Sequence, residues 1–436
     1  MELVSTRNSD RIVSFRNAVL DCMPHDGGLY VPAKEEDLRP WIMYMDETTK
    51  FSSIAGTLTS ALLKEEFSPV VSERIAGSAF ASYSPELRQL DERLFSLELF
   101  HGPTGCHKDF GLLWLASALE HILTMEDRTA TVLAATDGIT GRSIAHAFAG
   151  RKRLKLLLAY EKGTLTGLDP SMLAWNGGNV WPVEIDGSLS DAENLVRQLY
   201  AKRDLVSRYG LTLANTVNIG RLLPQVFFYM YAFTRLRKKV RGDIFYAVPS
   251  GNYGNLVAGL YAWKFSLPVN GFITDSTPSL SCDATGRCLC IDSSVPLQRR
   301  GPADAASPSN IERLEQVFEV NSLMLRGLVF PAEVKTTAIS EHMSAFWKKY
   351  GIMLDTATAT AYGAIGSIQE RINSDEGSVV LVSKDHPAFE AEKLRIACGE
   401  APPIPDFMKD IGAPVPGALR IAPDSKLLEK ILRDFA

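Results

Sequence analysis

Apolar residues along this chain fall into two spacings. Mainly apolar runs at 94–99, 129–136, 154–160, 180–185, 243–248, 269–274 and 378–383 read as strands, and the continuous one at 129–136 is as expected for a parallel sheet covered on both faces. Between them the spacing becomes helical. Leu112, Leu113, Leu115, Ala116, Leu119, Ile122 and Leu123 form one such stripe, and Ile144, Ala145, Ala147 and Phe148 another. Pro170 starts a further helix, and Ser190-Asp191-Ala192-Glu193 forms a capping box ahead of a helix through Tyr200. Helices are also predicted over 219–238, 256–265, 311–319 and 334–350. Alternating strand and helix implies an α/β architecture of two doubly wound sheets. Before about residue 90 the pattern is helical, with short helices at 60–67 and 72–80 and a polar, proline-containing break at Tyr83-Ser84-Pro85. The expected division is a helical N-terminal domain over 1–85 and a larger region over 86–436, with a smaller α/β subdomain at about 128–215. Residues 278–308 read as loop-rich.

The composition changes this picture little. In 436 residues, 46% are hydrophobic and 22% charged, values of a folded chain with sizeable cores. A net charge of -5 provides no basic field, so a nucleic-acid partner is not expected. The start, Met1-Glu2-Leu3-Val4-Ser5, is too polar for a signal peptide, and runs such as 226–233 are too short to span a bilayer. The expectation is a cytoplasmic protein with no membrane partner. Cys282, Cys288 and Cys290 cluster, but a metal would need a fourth ligand, and no H-x-x-x-H pair occurs among the seven histidines. Reduced loop cysteines and no metal are the reading.

Two stretches carry chemistry. Phe100-His101-Gly102-Pro103-Thr104-Gly105-Cys106-His107-Lys108-Asp109 places a lysine at the mouth of a helix, behind a strand end and among apolar neighbours. Desolvation lowers the pKa of such a lysine, which suits Schiff-base formation, although a helix-start lysine can also simply decorate a surface. Gly251, Asn252, Tyr253, Gly254 and Asn255 lie between a strand and a helix, where curled backbone and the helix dipole form an anion cup, or an ordinary tight turn. A cofactor carrying an aldehyde and a phosphate fits both features, at the strand ends where such sheets bind ligands. Arg221, with Asn215, Thr216 and Asn218, adds a guanidinium, amides and a hydroxyl suited to an oxyanion.

These stretches resemble the threonine synthases. The lysine stretch is similar to their F-H-G-P-T-x-x-x-K-D motif. Asp26-Gly27-Gly28-Leu29-Tyr30-Val31-Pro32, the Asn215–Arg221 stretch, Pro249-Ser250-Gly251-Asn252-Tyr253-Gly254-Asn255, Pro308-Ser309-Asn310 and His386-Pro387-Ala388 follow in the family's order. The resemblance implies a pyridoxal-phosphate enzyme of fold type II with Lys108 as the cofactor lysine. The 251–255 loop is implied to hold the cofactor's phosphate, and Asn215, Thr216, Asn218 and Arg221 the substrate's. The implied partner is a small, phosphorylated amino-acid substrate, O-phospho-L-homoserine, turned over by a monomer or homodimer. The chain departs from the pattern where ring and substrate should lie. Asp137, Gly138, Ile139, Thr140 and Gly141 replace S-G-D-T-G, and Ser383-Lys384-Asp385 replaces S-T-A, so that Lys384 stands where a threonine faces the pyridine nitrogen. Gly105-Cys106-His107 replaces an apolar trio, and Asp355-Thr356-Ala357-Thr358-Ala359 lacks the usual proline and histidine. An enzyme of the same cofactor with a changed substrate therefore stays open, as does a non-catalytic pyridoxal-phosphate binder.

Overall fold

The computed structural model describes every residue except 284, 286, 291–294, 319–321, 410 and 411. The chain opens on an antiparallel sheet in the order β2-β1-β3, built from β1 (Glu2–Ser5), β2 (Asn8–Ser14) and β3 (Tyr30–Pro32). Strand structure there was not predicted, because β2 is almost wholly exposed and carries no apolar run. After it come a short helix, Arg39–Tyr44, and the two longer helices Phe51–Leu62 and Pro69–Phe80. The second of the longer pair lies close to expectation. The first is displaced from 60–67, since its buried face is Phe51, Ile54, Ala55 and Leu58 and the chain turns after Leu62.

Six strands, β4 (Glu86–Gln89), β5 (Leu94–Glu98), β10 (Ile244–Ala247), β11 (Gly271–Asp275), β14 (Val329–Ala332) and β15 (Ser378–Ser383), form a sheet ordered β14-β11-β10-β15-β5-β4. Only β4 runs antiparallel. Five others, β6 (Ala130–Thr136), β7 (Leu154–Glu161), β8 (Val180–Ile185), β9 (Leu211–Thr212) and β16 (Leu419–Ile421), make an all-parallel sheet ordered β16-β8-β7-β6-β9. The sheet therefore takes a strand from far beyond residue 215. Residues 278–308, expected as loop, contain the hairpin β12 (Leu280–Cys282) and β13 (Cys288–Cys290).

Three local expectations are corrected. No α-helix starts at Pro170; two 3-10 turns form instead and end at Gly177, which has φ +88°. The capping box uses Ser188 and Asp191 rather than Ser190 and Glu193, each side chain accepting from the other's backbone N–H. The helix expected over 219–238 breaks into Ile219–Leu222, a 3-10 turn at Leu223–Gln225 and Val226–Leu236, with Pro224 in the turn, where it donates no helical hydrogen bond.

β10, β15 and β5 are adjacent and parallel, so the loops leaving their carboxyl ends are neighbours. Those loops are the 249–254 turn, residues 384–386 and the turn into the Lys108–Met125 helix. This helix is apolar on every side and is buried along most of its length. The N-terminal segment clamps it: Phe15 meets Trp114 edge-on, Phe51 meets Phe110, and Trp114 Nε1 donates to Thr59 Oγ1 at 3.1 Å.

Candidate active site

Lys108 is the first residue of its helix, and a hydrogen-bonded turn aims it. Thr104 donates its N–H to Asp109 Oδ2 at 2.9 Å and its hydroxyl to Oδ1 at 2.6 Å, both groups fully buried. Gly102 is required there, because a Cβ would lie 2.5 Å from Asp109 Oδ2. Gly105 turns with φ +73°. Burial pushes the Asp109 carboxyl up to about 6 against these donors. At Lys108, burial pulls the ammonium down, but Cys106, Asp385 and Asp137 outweigh it and the net direction is upward. The depressed lysine expected from desolvation alone is thus reversed by Cys106 of its own turn together with Asp385 and Asp137, which tertiary packing supplies.

Lys108 faces a cavity of about 270 Å³, which also receives Asp137, Thr140, Asn215, Thr216, Arg221, Asn252, Gly254 and Asn255. The helix Gly254–Lys264 starts at this wall, where its first N–H groups have no carbonyl one turn earlier and Gly254 N donates instead to Asn252 Oδ1 at 3.1 Å. A Cβ on Gly254 would approach Asn252 Oδ1 to 3.0 Å and Thr216 Cγ2 to 3.3 Å. Three buried polar atoms on the same wall have no protein partner: Asn255 Nδ2, Arg221 Nη1 and Gln225 Oε1. Arg221 is 4% exposed, and burial draws its guanidinium down to about 10. It lies so close to the Lys108 helix that any side chain at Gly111 would collide with it.

Thr216 is held by side chains on and behind the cavity wall. Asn310 Nδ2 donates to its hydroxyl at 2.8 Å, Asn252 Nδ2 at 3.2 Å, and the fully buried Arg313 donates to the Thr216 and Val217 carbonyls. Arg313 and Gln225 were missed from sequence. The available signal for Gln225 is its place one helical turn after Arg221; nothing local marks Arg313.

Several sequence candidates lie off the cavity wall. Asn218 is spent on structure, with Nδ2 donating to the Val19 and Leu213 carbonyls at 3.0 Å each and Oδ1 accepting from Gly220 N at 3.0 Å. Gly138 and Gly141 pack against Thr164, and against Thr136 and Leu165. Gly251 is exposed, and Tyr253, at φ +62°, turns its hydroxyl to Thr277. Ile139 does not reach the cavity, and Asp137 is the N-cap of the helix Gly138–Phe148, accepting from Thr140 N at 2.6 Å. Lys384 is also absent from the wall: its Nζ would lie 3.6 Å from a Cβ at Gly251.

Two departures that look unrelated in sequence meet in space. Cys106 and Asp385 form a backbone bridge, His107 N donates to Lys384 O at 2.9 Å, and His386 N to Gly105 O at 2.8 Å. Across this bridge Cys106 Sγ donates to Asp385 Oδ1 at 2.9 Å, and His107 Nδ1 lies 3.0 Å from the same oxygen. Burial holds His107 neutral, down at about 3, and pushes the Cys106 thiol up. Burial alone would raise Asp385, but His107, Lys108 and Lys384 hold it well below the usual carboxylate range. A neutral imidazole and a thiol therefore both donate to one carboxylate oxygen beside Lys108.

Residues 82–385 match the family described as pyridoxal-phosphate dependent enzyme, and residues 2–80 match that described as threonine synthase N terminus. Threonine synthase of Escherichia coli strain K12 is 31% identical over 413 residues, 93% of each chain, and that of Haemophilus influenzae 29% over 418 residues, 94% of each. The crystal structure of the Escherichia coli threonine synthase superposes with a TM-score of 0.81 at 27% identity, covering both chains completely. A pyridoxal-phosphate-bound threonine synthase from Brucella melitensis shares the fold, with a TM-score of 0.82 at 23% identity over 100% of this chain and 99% of that one. Among the described residues, no helix is long and apolar enough to cross a membrane.

Proposed function

The chain belongs to the threonine synthase family of pyridoxal-phosphate-dependent enzymes, and from that premise we propose that it converts O-phospho-L-homoserine and water to L-threonine and phosphate, with Lys108 as the residue that bonds the cofactor. The observation that carries this reading is the convergence, on one cavity, of Lys108, the start of the Gly254–Lys264 helix and the unpartnered Arg221 Nη1, Gln225 Oε1 and Asn255 Nδ2. The donors among these fit a phosphorylated, aldehyde-bearing cofactor and leave a guanidinium for a second phosphate, while Gln225 Oε1 adds an acceptor. When bound, pyridoxal phosphate stabilises negative charge developing on substrate carbons.

Each residue has a distinct task in this reading. Asn255 Nδ2 and the N-terminal amides of its helix hold the cofactor's phosphate, and the tight approach at Gly254 keeps that wall bare. Arg221 Nη1, desolvated and unspent, takes the leaving phosphate of the substrate, with Thr216 and Asn215 beside it. Lys108 Nζ takes and returns protons, its charge set by the carboxylates of Asp385 and Asp137. Residues 1–85 are taken as a separate N-terminal domain. Residues 86–436 are the cofactor region, with 128–215 its smaller lobe, to which β16 is added. A cytoplasmic monomer or homodimer is part of the same proposal.

A related enzyme with a different amino-acid substrate is the second reading. Asp137 and Glu193 favour it, since both carboxylates stand on the cavity wall. Two of its sequence supports fall away, because neither Ile139 nor Lys384 lines the cavity. Borohydride reduction and peptide mapping test the lysine: the adduct is expected on Lys108, and an adduct elsewhere overturns the assignment. Release of threonine and phosphate from O-phospho-L-homoserine tests the reaction. If another amino acid from a panel perturbs the cofactor spectrum and is consumed while this substrate is not, the second reading replaces the first.

A further inference from the structure

We propose that Cys106, His107 and Asp385 form a binding site for a borderline-soft divalent cation of the zinc class, set beside Lys108. Their ligand atoms are already gathered: Sγ to Oδ1 is 2.9 Å, Nδ1 to Oδ1 3.0 Å and Sγ to Nδ1 3.9 Å. Around a tetrahedral zinc, bond lengths near 2.0 Å to nitrogen or oxygen and 2.3 Å to sulfur put donor pairs about 3.3–3.6 Å apart, so each pair moves by roughly 0.3–0.7 Å. The frame beneath them is fixed, because the Cys106–Asp385 bridge and the bonds His107 N to Lys384 O and His386 N to Gly105 O join the two segments. That convergence is pre-organised across 278 residues of sequence.

The chemistry balances. Zinc replaces the Cys106 thiol proton, which is released, and the His107 proton moves from Nδ1 to Nε2 so that Nδ1 can coordinate. Thiolate and carboxylate together offset the dication. Three protein ligands leave a fourth position for water or a ligand atom, the pattern of an open rather than a closed zinc site. His107 also lines the main cavity, so this position adjoins it.

The test is zinc content and affinity of the full-length holoenzyme after dialysis against zinc, with X-ray absorption of the bound metal. About one zinc per chain is expected, with one sulfur at about 2.3 Å and the remaining neighbours nitrogen or oxygen. Cys106→Ala and Asp385→Asn should each lower affinity at least about tenfold, since even outer partners of a ligand are worth that much. Thermal melting establishes that each variant is folded, and the absorption measurement on the unmodified chain needs no variant. A triple Cys282→Ser, Cys288→Ser, Cys290→Ser variant should keep the metal. No bound zinc, a shell without sulfur or with several sulfurs, or loss of the metal in the triple variant overturns the proposal and leaves the three residues as a hydrogen-bonded cluster.

Discussion

Asn218 and Arg221 sit three residues apart in one motif, and the structure gives them opposite jobs. Replacing Asn218 with Ala removes the donor to the Val19 and Leu213 carbonyls, a 3.2 Å contact with Cys22 Sγ, and the cap on Gly220 N. Asn218 is 0% exposed, so water cannot substitute for the lost partner. At about 1 kcal/mol net for each of three good hydrogen bonds, and more where a carbonyl is left unpaired, the loss is about 3 kcal/mol, with a range of roughly 2–5. Entropy of unfolding scales with length, so in a chain this long 1 kcal/mol moves the midpoint by only about 1 °C. A fall of about 2–5 °C in thermal melting is expected, with KM for O-phospho-L-homoserine unchanged. Arg221→Lys should do the reverse, holding the melting temperature and raising KM. A tenfold rise in KM for Asn218→Ala with undiminished melting would show that its side chain meets the substrate and that the structural assignment is wrong.

Gly254→Val should weaken cofactor binding at least about tenfold in a fluorescence titration while the chain stays folded, because the new side chain enters the space of Asn252 Oδ1 and Thr216 Cγ2; unchanged affinity would remove the 251–255 loop from the cofactor site. Asp137→Ala should cost about 1 kcal/mol by denaturant unfolding through loss of the helix cap, and Asp137→Ser much less, since serine caps as well. Ile139→Asp should leave KM for substrate unaltered, as its side chain does not line the cavity. His386 is drawn from 6.5 to about 4, by burial first and then by His101. The unfolded chain therefore takes up this proton first as pH falls, so the contribution of His386 to stability is complete above about 6.5 and is lost on descent to about 4. His386→Gln should flatten that part of the stability–pH curve, and an unaltered slope would refute the shift.

What the sequence determined is what local chemistry can encode. Mainly apolar runs marked the central strands, because strands covered on both faces take apolar side chains at most positions, and β6, β7, β8 and β15 appear almost where those runs lie. The strand, glycine turn and helix around Lys108, and the glycine loop before the Gly254–Lys264 helix, were equally legible, since turn chemistry acts over a few residues. The tertiary structure decided which side chains face the cavity. Asn218, Lys384 and Ile139 have the right neighbours in sequence, yet they do not line it, because which side chains reach a cavity follows from the packing of their elements. Packing also added β16 to a sheet far upstream. It brought Asp385 onto Cys106 and His107, where it joins Cys106 and Asp137 in reversing the expected shift at Lys108. Charge acts through space, so the electrostatics of that lysine depend not only on Cys106 beside it in the chain but also on Asp385 and Asp137, which nothing near it could reveal.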